Sequence, residues 1–198
     1  MRDADVREQR RGMLYLAHIA PLTAYVSKLR ERVDVEVPNF DPLDGGIGAQ
    51  ALFLFEKPGP MTAEDGERKG SGFISRNNDD PTAEATFSFM EQAEIPRKLT
   101  VIWNVVPWWN GTRKVTATEV REGEICLQEL IGLLPKLRAI VMVGRKATAA
   151  RPFLGTTGLR SFTSDHPGPI VRARWPERWK AIPLEWAKIR EFVDMGDR

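Results

Sequence analysis

The fold is decided by the run Ala-Leu-Phe-Leu-Phe at residues 51–55, which Glu-Lys-Pro-Gly-Pro at residues 56–60 ends abruptly. A continuous apolar run of this length is typical of a strand buried on both faces, as strands of parallel sheets are. Two similar runs follow, Leu-Thr-Val-Ile-Trp at 99–103 and Ala-Ile-Val-Met-Val at 139–143. A fourth strand is predicted at 160–163, where Arg-Ser-Phe-Thr precedes a loop.

Helical patterns alternate with these strands. Apolar residues recur at three-to-four spacing in residues 4–32, 82–94, 122–134 and 177–193. Pro21 is expected to kink or split the first helical segment, and Asp79 or Asp80 is expected to cap the second. Alternating strands and helices favour right-handed crossovers and a parallel sheet covered on both faces. We therefore predict an α/β fold, a three-layer α/β/α sandwich around a central four-stranded, mainly parallel sheet.

Length and composition indicate one globular domain. The chain has 198 residues, 42% hydrophobic and 28% charged, which is enough to bury a full core. We expect a single domain over residues 1–198, with the helical segment 4–32 packed on it. The lone cysteine, Cys126, excludes an intramolecular disulfide and a four-cysteine metal site. No stretch has the ~20 apolar residues of a membrane span, and no signal-peptide pattern opens the chain, so a cytoplasmic protein without membrane contact is expected.

Basic residues are concentrated in one segment. The whole chain carries a net charge of +2, from 29 basic and 27 acidic residues, but residues 145–180 hold eight basic and two acidic residues. That segment is therefore +6 and the remainder is −4. Such a concentration suits a polyanionic partner, and the alternative is a solvated arginine-rich surface.

Unusual residues follow the predicted strands. Phe-Glu-Lys-Pro-Gly-Pro at 55–60 follows the first strand, Asn104 ends the second, and Ser-Asp-His-Pro-Gly-Pro-Ile at 164–170 follows the fourth. Gly-Ser-Gly-Phe-Ile-Ser at 70–75 lies between the first two strands. Ligands of open α/β sheets bind outside the carboxyl ends of the strands, so these residues form the predicted site.

The order of these motifs resembles the uracil-DNA glycosylase superfamily, in a divergent, bacterial-type branch. Members carry a first motif such as Gly-Glu-Ala-Pro-Gly, then a base-stacking aromatic, a strand-terminal Asn and a His-Pro-Ser-Pro motif. The matching residues of this chain are Glu56, Pro58, Gly59, Phe73, Asn104, His166, Pro167 and Pro169.

The resemblance implies a DNA repair enzyme that flips uracil out of the strand and hydrolyses its N-glycosidic bond, leaving an abasic site. Phe73 would stack on the base, and the amide of Asn104 would pair with N3–H and O4 of uracil. His166 would donate a hydrogen bond to O2 as negative charge develops there. Pro58 and Gly59 would form the turn whose backbone contacts the base. No cofactor and no metal are implied, the partner is uracil-containing single- or double-stranded DNA, and a monomer is expected.

The resemblance also implies a DNA-binding loop after His166. It would place an apolar wedge flanked by arginines in the groove of the duplex. Its residues are Pro167, Gly168, Pro169, Ile170, Arg172 and Arg174.

Three positions of the first motif depart from the family pattern. Lys57 stands where the best-known branch has a water-orienting Asp, and Gly59 stands where it has a Tyr that excludes thymine. Phe55 replaces the leading Gly of the motif. As part of the catalytic set with His166 and Glu56, Lys57 could stabilise negative charge, bind a phosphate or attack as an amine. Glu56, Asp79 or Asp80 could position the water instead.

Other functions stay open at this point. The departures leave a glycosylase for another deaminated base, or a DNA-binding protein of the same fold without activity. A small-molecule enzyme that uses Lys57 and the Pro-Gly turn on a phosphate is a further alternative.

Overall fold

A parallel sheet of four strands forms the centre of the structure, a computed structural model that describes residues 1–32, 35–63 and 69–195. The central order is β4-β2-β5-β6, and β1 pairs with β3 in a separate parallel sheet of two strands. In chain order the strands are β1 (Asn39–Phe40), β2 (Ala51–Phe55), β3 (Phe73–Ile74), β4 (Thr100–Asn104), β5 (Ala139–Val143) and β6 (Arg160–Ser164).

Seven α-helices are found in the described residues. They are α1 (Ala4–Gly12), α2 (Ala20–Arg32), α3 (Pro81–Gln92), α4 (Ala117–Gly132), α5 (Arg151–Leu154), α6 (Pro169–Arg174) and α7 (Pro176–Ala187). None of the helices described is long and apolar enough to cross a membrane.

One face of the sheet is covered by α3 and α7. The Phe53 ring of β2 packs edge-on against Trp186 of α7, with ring centroids 5.0 Å apart. Trp186 in turn contacts Phe89 of α3. All three rings are almost fully buried, so this layer closes the core on that side.

The opposite face is covered by α2 and α4. Side chains alternate along a strand, so Leu54, next to Phe53, and its register partner Trp103 face this side. Trp103 contacts Tyr25 of α2, whose hydroxyl donates to the Cys126 carbonyl of α4. Phe40 of β1 stacks on Trp103 with centroids 3.8 Å apart. The predicted three-layer α/β/α sandwich with a central four-stranded sheet is therefore confirmed.

Buried ion pairs join the N-terminal helix to the body. Arg10 of α1 pairs with Asp41, and Arg97 pairs with Asp41 at 2.6 Å and with Asp44 at 2.8 Å. Arg76 lies 3.6 Å from Asp44. The charged groups of this network are mutually paired, which offsets the cost of burying them.

Several element bounds differ from the sequence expectation. The helix expected at 122–134 begins at Ala117, because Thr116 and Glu119 form a capping box that satisfies its first N–H groups. The segment 4–32 is two helices, and Pro21 lies in the first turn of α2, where its missing N–H breaks no helical hydrogen bond. The last helix runs through Pro183 and ends at Ala187.

Candidate functional site

The carboxyl ends of β2 and β4 bring Phe55 and Asn104 side by side. The two residues are register partners in the parallel sheet. Pairing continues past the strands, because the Val105 N–H donates to the Phe55 carbonyl at 2.8 Å and the Val106 N–H donates to the Glu56 carbonyl at 2.9 Å. The first motif and the segment after Asn104 are thus held together at this edge of the sheet.

Asn104 is buried at the end of β4 and has an unpaired acceptor. The residue is 5% exposed, and among the described residues no group donates to its Oδ1. Leaving a buried acceptor unpaired costs about 1–3 kcal/mol, so such atoms are few in folded proteins. An N–H group of a bound ligand would satisfy this oxygen.

His166, which follows β6, contacts the Phe55 ring. Phe55 is in turn the register partner of Asn104 in the sheet. The His166 ring meets the Phe55 ring edge-on, with centroids 5.7 Å apart. Two glycines make room for the imidazole: a Cβ at Gly144, whose φ is 87°, would lie 3.1 Å from the His166 Cβ, and a Cβ at Gly168 would lie 2.7 Å from Nδ1. Gly144 is the residue after β5, so the ends of three neighbouring strands contribute to this place.

Burial keeps the His166 ring neutral. Desolvation lowers the pKa of His166 below its ordinary value of 6.5. The Asp80 carboxylate acts against this shift, and the Arg113 guanidinium adds to it. At neutral pH the imidazole is therefore uncharged and donates a hydrogen bond from one nitrogen.

Phe73 of β3 is fully buried. Its neighbour Ile74 belongs to the core, and side chains alternate along β3. The Phe73 backbone is fixed by the Ser71 hydroxyl, which donates to its carbonyl and accepts from its N–H, both at 3.1 Å. The Asn78 amide also donates to the Phe73 carbonyl at 2.9 Å, which ties Phe73 to the start of α3.

The start of α3 connects Phe73 to His166. Asp80 caps this helix, as one of the two expected candidates, by accepting from the N–H groups of Thr82 and Ala83. The Thr82 hydroxyl lies 3.4 Å from where a Cβ at Gly168 would be. The structure thus places Asn104 and His166 on either side of Phe55, and it links Phe73 to them through the α3 start rather than by a ring contact.

The ammonium group of Lys57 is hydrogen-bonded to the loop before α4 and to the first turn of α4. Its Nζ donates to the Asn110 Oδ1 at 2.7 Å, to the Lys114 carbonyl at 3.1 Å and to the Glu119 carboxylate at 2.7 Å. These are the three bonds that an ammonium group can donate, and the side chain is 2% exposed. This arrangement favours a structural role for Lys57 over attack or phosphate binding.

The other residues of the first motif have different surroundings. Glu56 forms an ion pair with Lys146 at 2.5 Å. Pro58 is buried and Gly59 is half-buried. A Cβ at Gly59 would have no atom of the described residues within 4 Å, so the part of the chain that the structure describes leaves open space in front of this turn.

The segment after His166 is a helix, where the sequence predicted a loop. Residues 170–174 lie in α6, which begins at Pro169, a residue suited to the first helical turn. Pro167 and Gly168 are buried, whereas Pro169, Arg172 and Arg174 are exposed. Ile170 is 69% exposed.

Asn78 was missed by the sequence analysis. It is 9% exposed, its Oδ1 has no partner in the described part of the chain, and no motif marks it. A cleft of about 550 Å³ lies beside it, lined by residues 76–81, Glu84 and Phe87.

No group of three His, Cys, Asp or Glu residues in the described ranges is placed to hold a metal ion.

Comparisons with known proteins support the fold. No family model matches the sequence, and no curated protein matches it at a significant level. Among solved structures, the chain is similar to a solution NMR structure from Methanosarcina acetivorans described as a “putative Uracil DNA glycosylase”. The identity is 17%, the TM-score is 0.50, and the match covers 73% of this chain and 92% of that one. The chain therefore has a fold like that of this protein.

Proposed function

We propose that this protein is a uracil-DNA glycosylase, which hydrolyses the N-glycosidic bond of uracil in DNA and leaves an abasic site. The observation that carries the proposal is the buried, unpaired Oδ1 of Asn104 at the carboxyl edge of the sheet, where its register partner Phe55 contacts the His166 ring. A buried acceptor without a partner is matched by the N3–H group of uracil.

The Asn104 amide reads the base in this proposal. Its Oδ1 accepts from N3–H of uracil while its Nδ2 donates to O4. Cytosine presents an acceptor at N3 and a donor at the exocyclic amine, so both contacts would be repulsive. We assign Phe73 as the aromatic ring on which the flipped base stacks; because the ring is fully buried, the residues that cover it must move for the base to reach it.

His166 stabilises the leaving base. When the bond between N1 and C1′ breaks, its electron pair passes to the base, and negative charge collects on O2. A neutral, desolvated imidazole that donates to O2 stabilises this charge most as it develops. Water then adds to C1′ and loses a proton, which completes the hydrolysis.

Asp80 is the carboxylate we favour for positioning this water. It is the one of Glu56, Asp79 and Asp80 whose charge acts on His166. Glu56 is paired with Lys146, and Asp79 is held by both nitrogens of an Arg2 fork.

The test is cleavage of uracil-containing single-stranded and duplex oligonucleotides, read as strand breaks after alkali. We expect wild type to produce abasic sites. His166→Ala should slow cleavage about 10²–10³-fold while DNA binding is retained. His18→Ala is the matched control, and this variant should cleave at the wild-type rate. The His18 ring contacts the Pro42 carbonyl, away from the proposed residues.

Other outcomes select among the alternatives. Salt-sensitive DNA binding without any product would overturn the proposal in favour of a binding protein of the same fold. Product from hypoxanthine or xanthine but not from uracil would assign another deaminated base, which the open space at Gly59 allows.

A further inference from the structure

The cleft beside Asn78 runs along the start of α3. Its volume is about 550 Å³, and it is lined by residues 76–81, Glu84 and Phe87. We call it the α3 cleft. Asp80 is the one lining residue with a part in the proposed reaction, and the volume lies in the range of ligand-binding clefts.

Two residues that line the α3 cleft each have a buried polar atom without a partner. Arg76 is 4% exposed and Asn78 is 9% exposed. Within the described residues, the Nε of Arg76 has no acceptor and the Oδ1 of Asn78 has no donor. Leaving such atoms unpaired is costly, so this pair calls for a ligand that offers both an acceptor and a donor.

The remaining polar groups of both side chains are fixed by the protein. The Nη2 of Arg76 donates to the Thr100 hydroxyl at 2.6 Å and lies 3.6 Å from the Asp44 carboxylate. The Nδ2 of Asn78 donates to the Phe73 carbonyl at 2.9 Å. The Nε donor and the Oδ1 acceptor are therefore held in place before any ligand arrives, which lowers the entropic cost of binding.

The exposed face of α3 adds a carboxylate and an aromatic ring to the cleft. Glu84 and Phe87 are three residues apart in the helix, so their side chains are neighbours. Glu84 is exposed and has no ion pair in the part of the chain that the structure describes, and Phe87 is 43% exposed. A carboxylate next to an aromatic ring suits the ammonium or guanidinium group of a ligand.

The charge of the α3 cleft disfavours nucleic acid. Arg76 already faces a buried carboxylate, and Asp79 is held by the guanidinium of Arg2. Asp80 and Glu84 therefore set the sign of the cleft, which is negative. Phosphate groups would be repelled there, whereas a basic protein segment would be attracted.

A basic peptide supplies every group that this cleft lacks. Each peptide unit has a carbonyl oxygen, which can accept from Arg76, and an N–H group, which can donate to Asn78. The methylene stem of a Lys or Arg side chain can pack on Phe87. We infer that the α3 cleft binds an extended basic segment of a partner protein, whose backbone pairs with Arg76 Nε and Asn78 Oδ1 and whose cationic side chain pairs with Glu84.

The test uses a defined peptide and no DNA, so its outcome is independent of the proposed function. The probe is acetyl-Ala-Arg-Ala-Arg-Ala-amide, titrated into the isotope-labelled protein while its backbone amide signals are followed by NMR. Two matched peptides are compared with it. One has Glu in place of Arg, and the other is methylated on its backbone nitrogens, which keeps the charge and removes the N–H donors.

The protein variants are Glu84→Gln and Phe87→Ala, which change exposed side chains and leave Arg76 and Asn78 in place. Their controls are Glu122→Gln, at an exposed carboxylate of α4, and Tyr15→Ala, at a ring that is 84% exposed in another part of the fold. Circular dichroism of each variant would verify its fold.

We expect the basic peptide to cause saturable shifts at residues 76–80, 84 and 87, and the acidic peptide to cause none there. Glu84→Gln and Phe87→Ala should each weaken binding about 2- to 5-fold, as loss of an exposed ion pair or cation–π contact does. Backbone methylation should weaken it about 2- to 10-fold, because Asn78 Oδ1 loses its donor. Both control variants should bind like wild type.

Four results would overturn the inference. The first is the absence of saturable shifts at these residues, and the second is an affinity that Glu84→Gln and Phe87→Ala leave unchanged. The third is a methylated peptide that binds as tightly as its parent, which would reduce the contact to charge alone. The fourth is the same set of shifts with oligo(dT), which would assign the cleft to nucleic acid.

Discussion

At the residue scale, two buried side chains carry the proposal. Phe73 of β3 is fully buried next to the core residue Ile74, and Asn104 is the last residue of β4. The Asn104 amide is buried with its Oδ1 unpaired in the described part of the chain. A buried acceptor of this kind calls for an explanation, and for Asn104 we propose a donor group of the ligand.

Replacing Asn104 should separate stability from activity. Asn104→Leu keeps the number and branching of the side-chain heavy atoms and removes the unpaired acceptor, so we expect the free energy of unfolding to stay level or to rise by up to about 1–3 kcal/mol. Uracil cleavage should be lost. Urea denaturation and the cleavage assay would measure the two effects.

The matched control is Asn78→Leu. This change removes the bond to the Phe73 carbonyl and should destabilise the protein by about 1–3 kcal/mol. If Asn104→Leu were destabilised to the same degree, the Asn104 amide would have a structural role, contrary to our proposal.

At the element scale, the first motif holds a neighbouring helix in place. Lys57 connects the turn after β2 to Asn110, to Lys114 and to Glu119 in the first turn of α4. Glu119 closes the capping box of that helix, so the lysine and the cap share one carboxylate. The pKa of Glu119 is lowered because the Lys57 and Thr116 hydrogen bonds outweigh the opposing effect of burial.

Replacing Lys57 should therefore affect stability rather than chemistry. We expect Lys57→Met to lower the free energy of unfolding by about 1–3 kcal/mol, because Glu119 and Asn110 lose a buried donor. The cleavage rate per folded molecule should stay within a few-fold of wild type. Urea denaturation and active-fraction-corrected cleavage would measure these effects.

Lys146→Met is the control for this prediction. That lysine also pairs with a first-motif carboxylate, but it is 54% exposed, so the loss should be at most about 1 kcal/mol. A large loss of cleavage in Lys57→Met with unchanged stability would instead identify Lys57 as a catalytic residue.

At the scale of the whole molecule, the buried ion pairs join distant parts of the chain. Arg10 belongs to the N-terminal helix, Asp41 and Asp44 to the loop after β1, and Arg97 to the turn before β4. Burial raises the pKa of Asp44 to about 6, against the charges of Arg76 and Arg97. For Asp41, burial is outweighed by Arg97, Ser75 and Arg10, which hold its pKa below the ordinary value.

The raised pKa makes stability depend on pH. Folding favours the protonated form of Asp44, so its contribution is fully present below pH 3.8 and is lost as the pH rises through about 6. We expect wild type to lose stability relative to Asp44→Asn between about pH 4 and pH 6. Urea denaturation across this range would measure the difference. The control is Asp5→Asn, which replaces an exposed carboxylate of α1.

A constant difference between wild type and Asp44→Asn over the same range would contradict the prediction. Asp41 does not disturb this comparison, because both proteins retain it. Its own contribution is lost only as the pH falls through its lowered pKa.

The sequence by itself determined the layers of the fold. Short apolar runs followed by Pro or Gly are typical of strands covered on both faces, and residues 51–55 and 139–143 were predicted with their observed bounds. Local capping signals were weaker guides. Asp80 was one of two expected caps, whereas the Thr116 box was missed and the start of α4 was predicted five residues too late.

Only the tertiary structure decided how the motif residues are used. Their positions at strand ends followed from the sequence, but a periodic pattern does not tell which partner an ammonium or an amide will find. Lys57 meets Glu119, 62 residues away in sequence, and is thereby taken out of solvent, whereas Asn104 is buried with its oxygen unpaired. The helix at Pro169–Arg174 and the contact of the Trp175 indole with the Arg178 guanidinium likewise depend on contacts between α6, α7 and the His166 loop, which no local signal encodes.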